Sequence, residues 1–180
     1  YKLDQARAKG YTGKGVTIAM IDGTVDTSAP ELAGAKITVK TPCVYNEPDA
    51  SRTHATAVAS ILVSKNYGVA PDATLIAYSV PSDKAKRTAE CEQDHAGTKG
   101  SAFAAIEMAM NDGAQIISIS MSDKNHHSKE LKWAIARAMA RGVIIVGPMG
   151  NAARDENDAS FAWWSGTVGV SAIDASGQLA

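Results

Sequence analysis

The sequence predicts an α/β domain: a doubly wound, mainly parallel sheet with helices on both faces. Two observations carry that expectation. Short apolar, β-branched runs alternate with longer helical patterns along the chain, and strand–helix–strand units in that rhythm close through right-handed parallel crossovers. The composition is that of one globular domain, with 180 residues, 45% hydrophobic, 21% charged, 15 Gly and 6 Pro. A chain of this size buries about 70% of its unfolded surface, so neither a metal nor a staple is needed to explain folding. Disordered, collagen-like, coiled-coil and disulfide-dense classes are excluded, and no internal repeat is present.

Val16-Thr17-Ile18-Ala19-Met20-Ile21 reads as a buried strand ending at Asp22-Gly23. Ala55 to Val63 is apolar nearly all round, which predicts a helix buried on every side. Thr74 to Val80 reads as a second strand. Ser82 to Gly100 is charged and poor in apolar residues, as in an exposed insertion or loop. Ser101 to Asp112 reads as a helix with Ser101 at its N-cap and Gly113 just past its end. Gln115 to Ser120 is again strand-like, and Ser128 to Arg141 is a helix closed by Gly142, with Trp133 expected in the core. Val143 to Gly147 and Val168 to Ala172 complete the strands.

A net charge of −1 argues against a nucleic-acid or anionic-membrane partner. The longest apolar runs, such as Val143 to Val146, are too short to span a bilayer. Cys43 and Cys91 allow one pairing, and cysteine arithmetic leaves bonded and free thiols both open. Their polar, turn-rich surroundings favour a disulfide at the surface. The chain opens on Tyr1 with no signal-peptide pattern, which predicts that it was processed or cut from something longer.

In open α/β sheets the working residues gather outside the carboxyl ends of the strands. Asp22 follows the first strand directly, Asn151 follows the strand ending at Gly147, and His54 stands at the opening of the buried helix. An Asp that orients a His is the supporting half of a Ser-His-Asp triad, in which the His takes the nucleophile's proton and returns it to the leaving group. A nearby Asn amide stabilises the oxyanion that develops on a scissile carbonyl. Taken singly, each residue reads more readily as a turn former, a helix cap or a structural His.

The flanking segments change that weighting. Gly13-Lys14-Gly15-Val16-Thr17-Ile18-Ala19-Met20-Ile21-Asp22-Gly23-Thr24-Val25-Asp26 resembles the aspartate segment of the subtilisin-like serine proteases, the subtilases. Thr53-His54-Ala55-Thr56-Ala57-Val58-Ala59-Ser60 is similar to their histidine segment, and Gly68-Val69-Ala70-Pro71 matches a family turn residue for residue. Ile117-Ser118-Ile119-Ser120-Met121-Ser122 is similar to the strand lining their substrate cleft. Gly142 to Asn151 resembles the strand that carries the oxyanion Asn.

The resemblance covers nearly the whole chain, in the family's order of Asp before His. It implies one subtilisin-like catalytic domain over residues 1–180, with Asp22 as orienting carboxylate, His54 as general base and acid, and Asn151 as oxyanion donor. It further implies that Gly100-Ser101 and Ser120-Met121-Ser122 flank an extended peptide or protein substrate by strand addition, while Pro148-Met149 wall the specificity pocket.

The family's nucleophile lies in a Gly-Thr-Ser-Met-Ala segment downstream of the Asn, and nothing after Asn151 carries it; Ser165-Gly166-Thr167 reads as loop. The domain is therefore expected to be incomplete at its carboxy end, with the Ser supplied by a carboxy-terminal portion or a second chain. On that basis residues 1–180 alone are expected to leave apolar strand edges uncovered and to aggregate. The alternative is a non-catalytic subtilase-like peptide-binding module, which has no chemical need of Asp22 and His54.

Smaller departures bear on specificity. Asp22-Gly23-Thr24 inverts the usual Asp-Thr-Gly or Asp-Ser-Gly, and its Asp-Gly-x-Val-Asp form resembles subtilases that mature ribosomal peptides. Ala55 and Ala57 replace a Gly and a second His, Asp123 stands where Gly usually follows the cleft strand, and Pro148-Met149 replace small residues and are expected to narrow the pocket.

No cofactor is required, no metal ligand set stands out, and no Asp/Asn-rich loop marks the calcium sites common in the family. His126-His127 and His95 read as solvated loop residues. Gly13-Lys14-Gly15 precedes its strand, whereas a dinucleotide fingerprint follows one. Trp163-Trp164 reads either as a binding patch or as a surface packed by a further segment. Family habit implies an extracellular protein, with a cytoplasmic processing enzyme as the alternative.

Overall fold

The computed structural model describes residues 2–82, 85–88, 91, 100–121, 128–150, 162 and 164–178. Six parallel strands form the main sheet, in the order β2-β4-β1-β6-β7-β8. They are β1 (Thr17–Asp22), β2 (Lys36–Lys40), β4 (Thr74–Ser79), β6 (Ile116–Ile119), β7 (Ile144–Pro148) and β8 (Val168–Val170). A two-residue antiparallel pair, β3 (Tyr45–Asn46) with β5 (Lys86–Arg87), stands apart. The helices are α1 (Leu3–Ala8), α2 (Asp49–Val63), α3 (Ala102–Asn111) and α4 (Lys129–Ala140), with a 3-10 turn at Pro30–Leu32.

The doubly wound architecture is as expected, and β1 shows why it forms. Ile18, Met20 and Ile21 are each 5% exposed or less, and alternate residues enter different cores. Ile18 and Met20 pack with Ala55, Ala59 and Val63 of α2. Ala19 and Ile21 pack with Ala105, Ile106 and Ala109 of α3 and Leu131, Ala134, Ile135 and Ala138 of α4. A strand covered on both faces reads as a continuous apolar run, because its period of two is hidden when each face has its own core. Asp22 falls at the next alternate position after Ile18 and Met20, on the α2 side.

The strands and helices read from sequence are present with small shifts at their ends. Ser101 Oγ accepts from Ala104 N–H at 3.2 Å and Ser128 Oγ from Leu131 N–H at 3.1 Å, so both capping serines act as expected. The helices they open close before Gly113 and Gly142, at φ +79° and +74°.

Four expectations need correction. The helix at residues 55–63 begins at Asp49, so His54 lies in its second turn. That helix is not buried all round: Ala55, Ala59, Ser60 and Val63 make one buried stripe, while Ile61 is 57% exposed. Ala57 and Ile61 are apolar residues on its exposed side. Trp133 is 63% exposed, and Trp164 instead packs against the α3–α4 core with Lys132 Nζ 5.7 Å from its ring centroid. Cys43 and Cys91 are bonded, but each is 3% exposed, so the disulfide is interior. Most of the expected loop at 82–100 lies outside the described residues, as do His95, His126, His127, Asp123 and Trp163. The sequence reading did not identify β2, whose Lys36-Ile37-Thr38-Val39-Lys40 alternates in an edge position.

Val168 and Val170 of β8, the last strand in the sheet order, are 49% and 52% exposed. Among the described residues no helix is long and apolar enough to cross a membrane.

The disulfide joins residues 48 apart and therefore limits the unfolded chain over a long loop. Replacing both Cys43 and Cys91 with Ser in the complete protein is expected to lower unfolding stability by about 2–4 kcal/mol. Chemical denaturation measures this; an unchanged midpoint would show that the crosslink contributes nothing.

Candidate active site

The pleat of β1 delivers Asp22 to the α2 side of the sheet, and α2 delivers His54 beside its buried Ala55. His54 Nδ1 lies 3.0 Å from Asp22 Oδ1. The same oxygen accepts the Gly23 N–H at 2.7 Å, and Val80 N–H donates to the Asp22 carbonyl at 2.8 Å. The Asp22 side chain is 5% exposed and that of His54 is 53% exposed. One partner is held inside the fold while the other faces solvent. With Nδ1 engaged by a carboxylate, the ring is fixed in orientation and Nε2 is left to accept a proton.

The pair sits where the strand ends converge. Ile21 pairs with Ile119 in parallel register, so Asp22 and Ser120 leave the sheet side by side. Ser118 pairs with Val146, which brings Pro148 and Met149 of the neighbouring strand to the same edge. Met121 packs partly against the α3–α4 core. Met149 is 52% exposed; its backbone N–H donates to Val170 O at 2.8 Å, and its sulfur lies 2.5 Å from where a Cβ on Gly169 would stand. Gly100 is buried, and a Cβ there would come within 3.0 Å of Cys43 Sγ, so the disulfide backs the segment that opens α3. Ser101 caps that helix. The sheet edge thus gathers Asp22, His54, Ser120, Met121, Pro148 and Met149. Asn151 and Ser122 lie outside the described residues.

Two residues that the sequence reading missed complete this environment. Glu47, just before α2, accepts the Thr24 N–H on Oε2 at 2.7 Å. Its carboxyl group fills the space beside Gly23, where a Cβ would meet Oε1 at 2.6 Å. Tyr45 of β3 places its hydroxyl 3.4 Å from Thr24 Oγ1. The only hint in the sequence is the Gly at position 23, a side chain missing where the family has one. Burial pushes the Tyr45 phenol up to about 12, so it is a neutral hydroxyl at physiological pH.

Burial also raises the Asp22 carboxyl above its ordinary 3.8. The Gly23 N–H and His54 pull it down, and Glu47 adds to the rise. Buried Asp22 Oδ2 and Glu47 Oε1 have no hydrogen-bond partner among the described residues.

A separate cleft of about 610 Å³ runs along α2, lined by Asp26, Glu31, Asp49, Arg52, Thr56 and Tyr67 among others. It includes neither Asp22 nor His54. Among the described residues no three His, Cys, Asp or Glu side chains converge as a metal site would need.

Comparison with known proteins places this geometry in context. Residues 13–180 match the pattern of the family described as "Subtilase family". The chain is 30% identical, over 98% of its length, to the "Thermostable alkaline protease" of Halalkalibacterium halodurans, covering 46% of that protein. Its fold is similar to that of the "Prenylagaramide maturation protease PagA", with a TM-score of 0.75 and 23% identity over 99% of this chain and 61% of that one. A mutant of the protease domain of PatA superposes with a TM-score of 0.73 at 25% identity, over 94% and 62% of the two chains. The chain therefore spans about half the length of the alkaline protease that it matches.

A raised carboxyl has a signed effect on stability. Between 3.8 and the higher folded value the native state binds more protons than the unfolded one, so stability contributed by protonated Asp22 is lost as pH rises through that window. At neutral pH the buried anion opposes folding. Asp22→Asn is expected to melt about 1–3 °C higher than the parent at pH 7 and to lose that advantage near pH 3. Calorimetry at the two pH values tests it; a lower melting point at pH 7 would contradict it.

Proposed function

This chain belongs to the subtilase family, and we propose that it supplies the aspartate and histidine of a serine peptidase that hydrolyses peptide bonds. The carrying observation is the 3.0 Å contact between His54 Nδ1 and the buried Asp22 carboxylate, with the imidazole open to solvent.

The nucleophilic serine lies outside residues 1–180, on a carboxy-terminal portion or a second chain that completes the same catalytic domain. The exposed Val168 and Val170 of β8 offer that portion a strand edge to cover. His54 removes the serine proton as the hydroxyl attacks the scissile carbonyl. The imidazolium that forms is stabilised by Asp22 and returns the proton to the leaving amine, after which water repeats the sequence on the acyl-enzyme. Asn151 donates to the oxyanion.

The substrate is a peptide or protein in extended conformation, held between Gly100-Ser101 on one side and Ser120-Met121-Ser122 on the other. Pro148 and Met149 restrict the side chain accepted beside them. Selective processing of a precursor peptide is the substrate class we favour. It is supported by the Asp-Gly-x-Val-Asp form of the aspartate segment and by the likeness of the fold to that of the prenylagaramide maturation protease PagA. The hydrolysis itself requires no cofactor. The protein acts outside the cytoplasm, because an interior disulfide such as Cys43–Cys91 persists in oxidising compartments.

Fluorophosphonate labelling of the natural source, read by denaturing intact-mass spectrometry, tests the reading. Label is expected on a longer form of this chain or on a second polypeptide. An unlabelled preparation with a sole species near 18.8 kDa would identify a binding module instead. In the complete enzyme, His54→Ala is expected to reduce turnover by about 10⁴-fold or more with the fold retained, and undiminished hydrolysis in that variant would remove His54 from the mechanism.

A further inference from the structure

The Asp22–Gly23–Thr24 turn departs from the family's usual order in having no side chain directly after the aspartate. The structure accounts for that departure. A Cβ at position 23 would stand 2.6 Å from Glu47 Oε1 and 2.9 Å from both Cδ and Oε2. The Glu47 carboxyl group therefore occupies the volume that a Ser or Thr side chain at 23 would take, and the two features require one another. Glu47 also holds the turn, because Oε2 accepts the Thr24 N–H at 2.7 Å one residue after Gly23 donates to Asp22 Oδ1.

Two carboxyl groups thus brace adjacent links of one turn, and each keeps one buried oxygen without a partner among the described residues. Such an arrangement is unfavourable for stability alone. Like charges oppose each other, and unpartnered buried acceptors lose hydration.

We propose that Glu47 is a positioning residue for the Asp22–His54 pair: it fills the place vacated at Gly23 and fixes the turn that aims Asp22 at His54. The proposal rests on the peptidase reading above for its catalytic consequence, but not for its geometric one. The titratable groups that bear on it are Asp22 from β1, Tyr45 from β3 and His54 from α2, while β4 presents Ser79 at the register position of Asp22. Tyr45 stays neutral and adds no charge to the turn. Burial foremost, with a smaller push from Glu47, holds Asp22 above its ordinary value.

Glu47→Gln retains an acceptor for the Thr24 N–H and nearly the same shape while removing the charge. In the complete protein, Glu47→Gln is expected to keep kcat and KM for peptide hydrolysis within about twofold of the parent, whereas Glu47→Ala removes the brace and is expected to lower kcat about 3–10-fold with KM unchanged. Restoring the family's arrangement with Gly23→Ser in the Glu47→Ala background is expected to recover part of the loss, whereas Gly23→Ser alone harms the enzyme. Parental kcat and KM in Glu47→Ala, with only the melting temperature altered, would overturn the proposal and leave Glu47 a structural brace. A parent protein that hydrolyses no peptide, but whose His54 Nδ1 proton shows by NMR an Asp22 hydrogen bond that weakens in Glu47→Ala and is kept in Glu47→Gln, would uphold the positioning inference while sinking the peptidase reading.

Discussion

The structure is organised around keeping a carboxylate charged in a place where water is scarce. Asp22 ends the central strand of the sheet at 4% exposure, and little about that position is favourable in itself. It holds because the surroundings offer two directed partners on one oxygen, a backbone N–H and an imidazole, and because the strand that carries it is clamped between β4 and β6. The apolar residues before it on the same face, Ile18 and Met20, anchor the strand against α2. The helix that covers them also presents His54. One packing decision, α2 laid on one face of β1 through Ala55, Ala59 and Val63, therefore builds the core and aims His54 at Asp22 at the same time.

Small residues make that decision workable. Alanines at Ala55 and Ala59, both fully buried, let the helix approach the sheet closely enough for a side chain in its second turn to reach the strand's end. The same logic recurs at the other side of the edge. Gly100 lies against Cys43, so the segment opening α3 is seated on a covalent crosslink instead of a mobile loop. The edge where strand ends meet is thus supported from beneath on both sides, by a helix under His54 and by a disulfide under Gly100.

How much of this was legible in the sequence depends on the range over which each feature is determined. The apolar runs at β1, β4, β6, β7 and β8 were plain as consecutive apolar and β-branched residues, although the run does not tell β1, buried almost throughout, from β8, exposed along its length. Ser101 and Ser128 were legible as caps because capping is decided within three residues. The Asp22–His54 pairing followed from topology and from the family's segments together. Glu47 and Tyr45 were not legible, since each acquires its meaning only when a segment some twenty residues downstream folds back on the Gly23 turn. Trp133 misled for a related reason: helical spacing places it within an amphipathic pattern but does not say how far the covering element extends. The interior position of the Cys43–Cys91 bond was hidden by polar neighbours, whose exposure says nothing about the sulfur between them. The environment of Asn151 lies outside the described residues.

The parallel pairing of β1 with β6 has a consequence in time as well as in space. It joins Ile18 to Ile116, and no local contact substitutes for that closure. Topologies that depend on such distant pairings assemble slowly, and until β4 and β6 have arrived on either side of β1, Asp22 remains hydrated like any surface carboxylate. The chain passes most of its folding trajectory with a harmless aspartate and an idle histidine. The contact between His54 and Asp22 comes into being only when these long-range pairings close, so a nascent or half-folded copy lacks the pair.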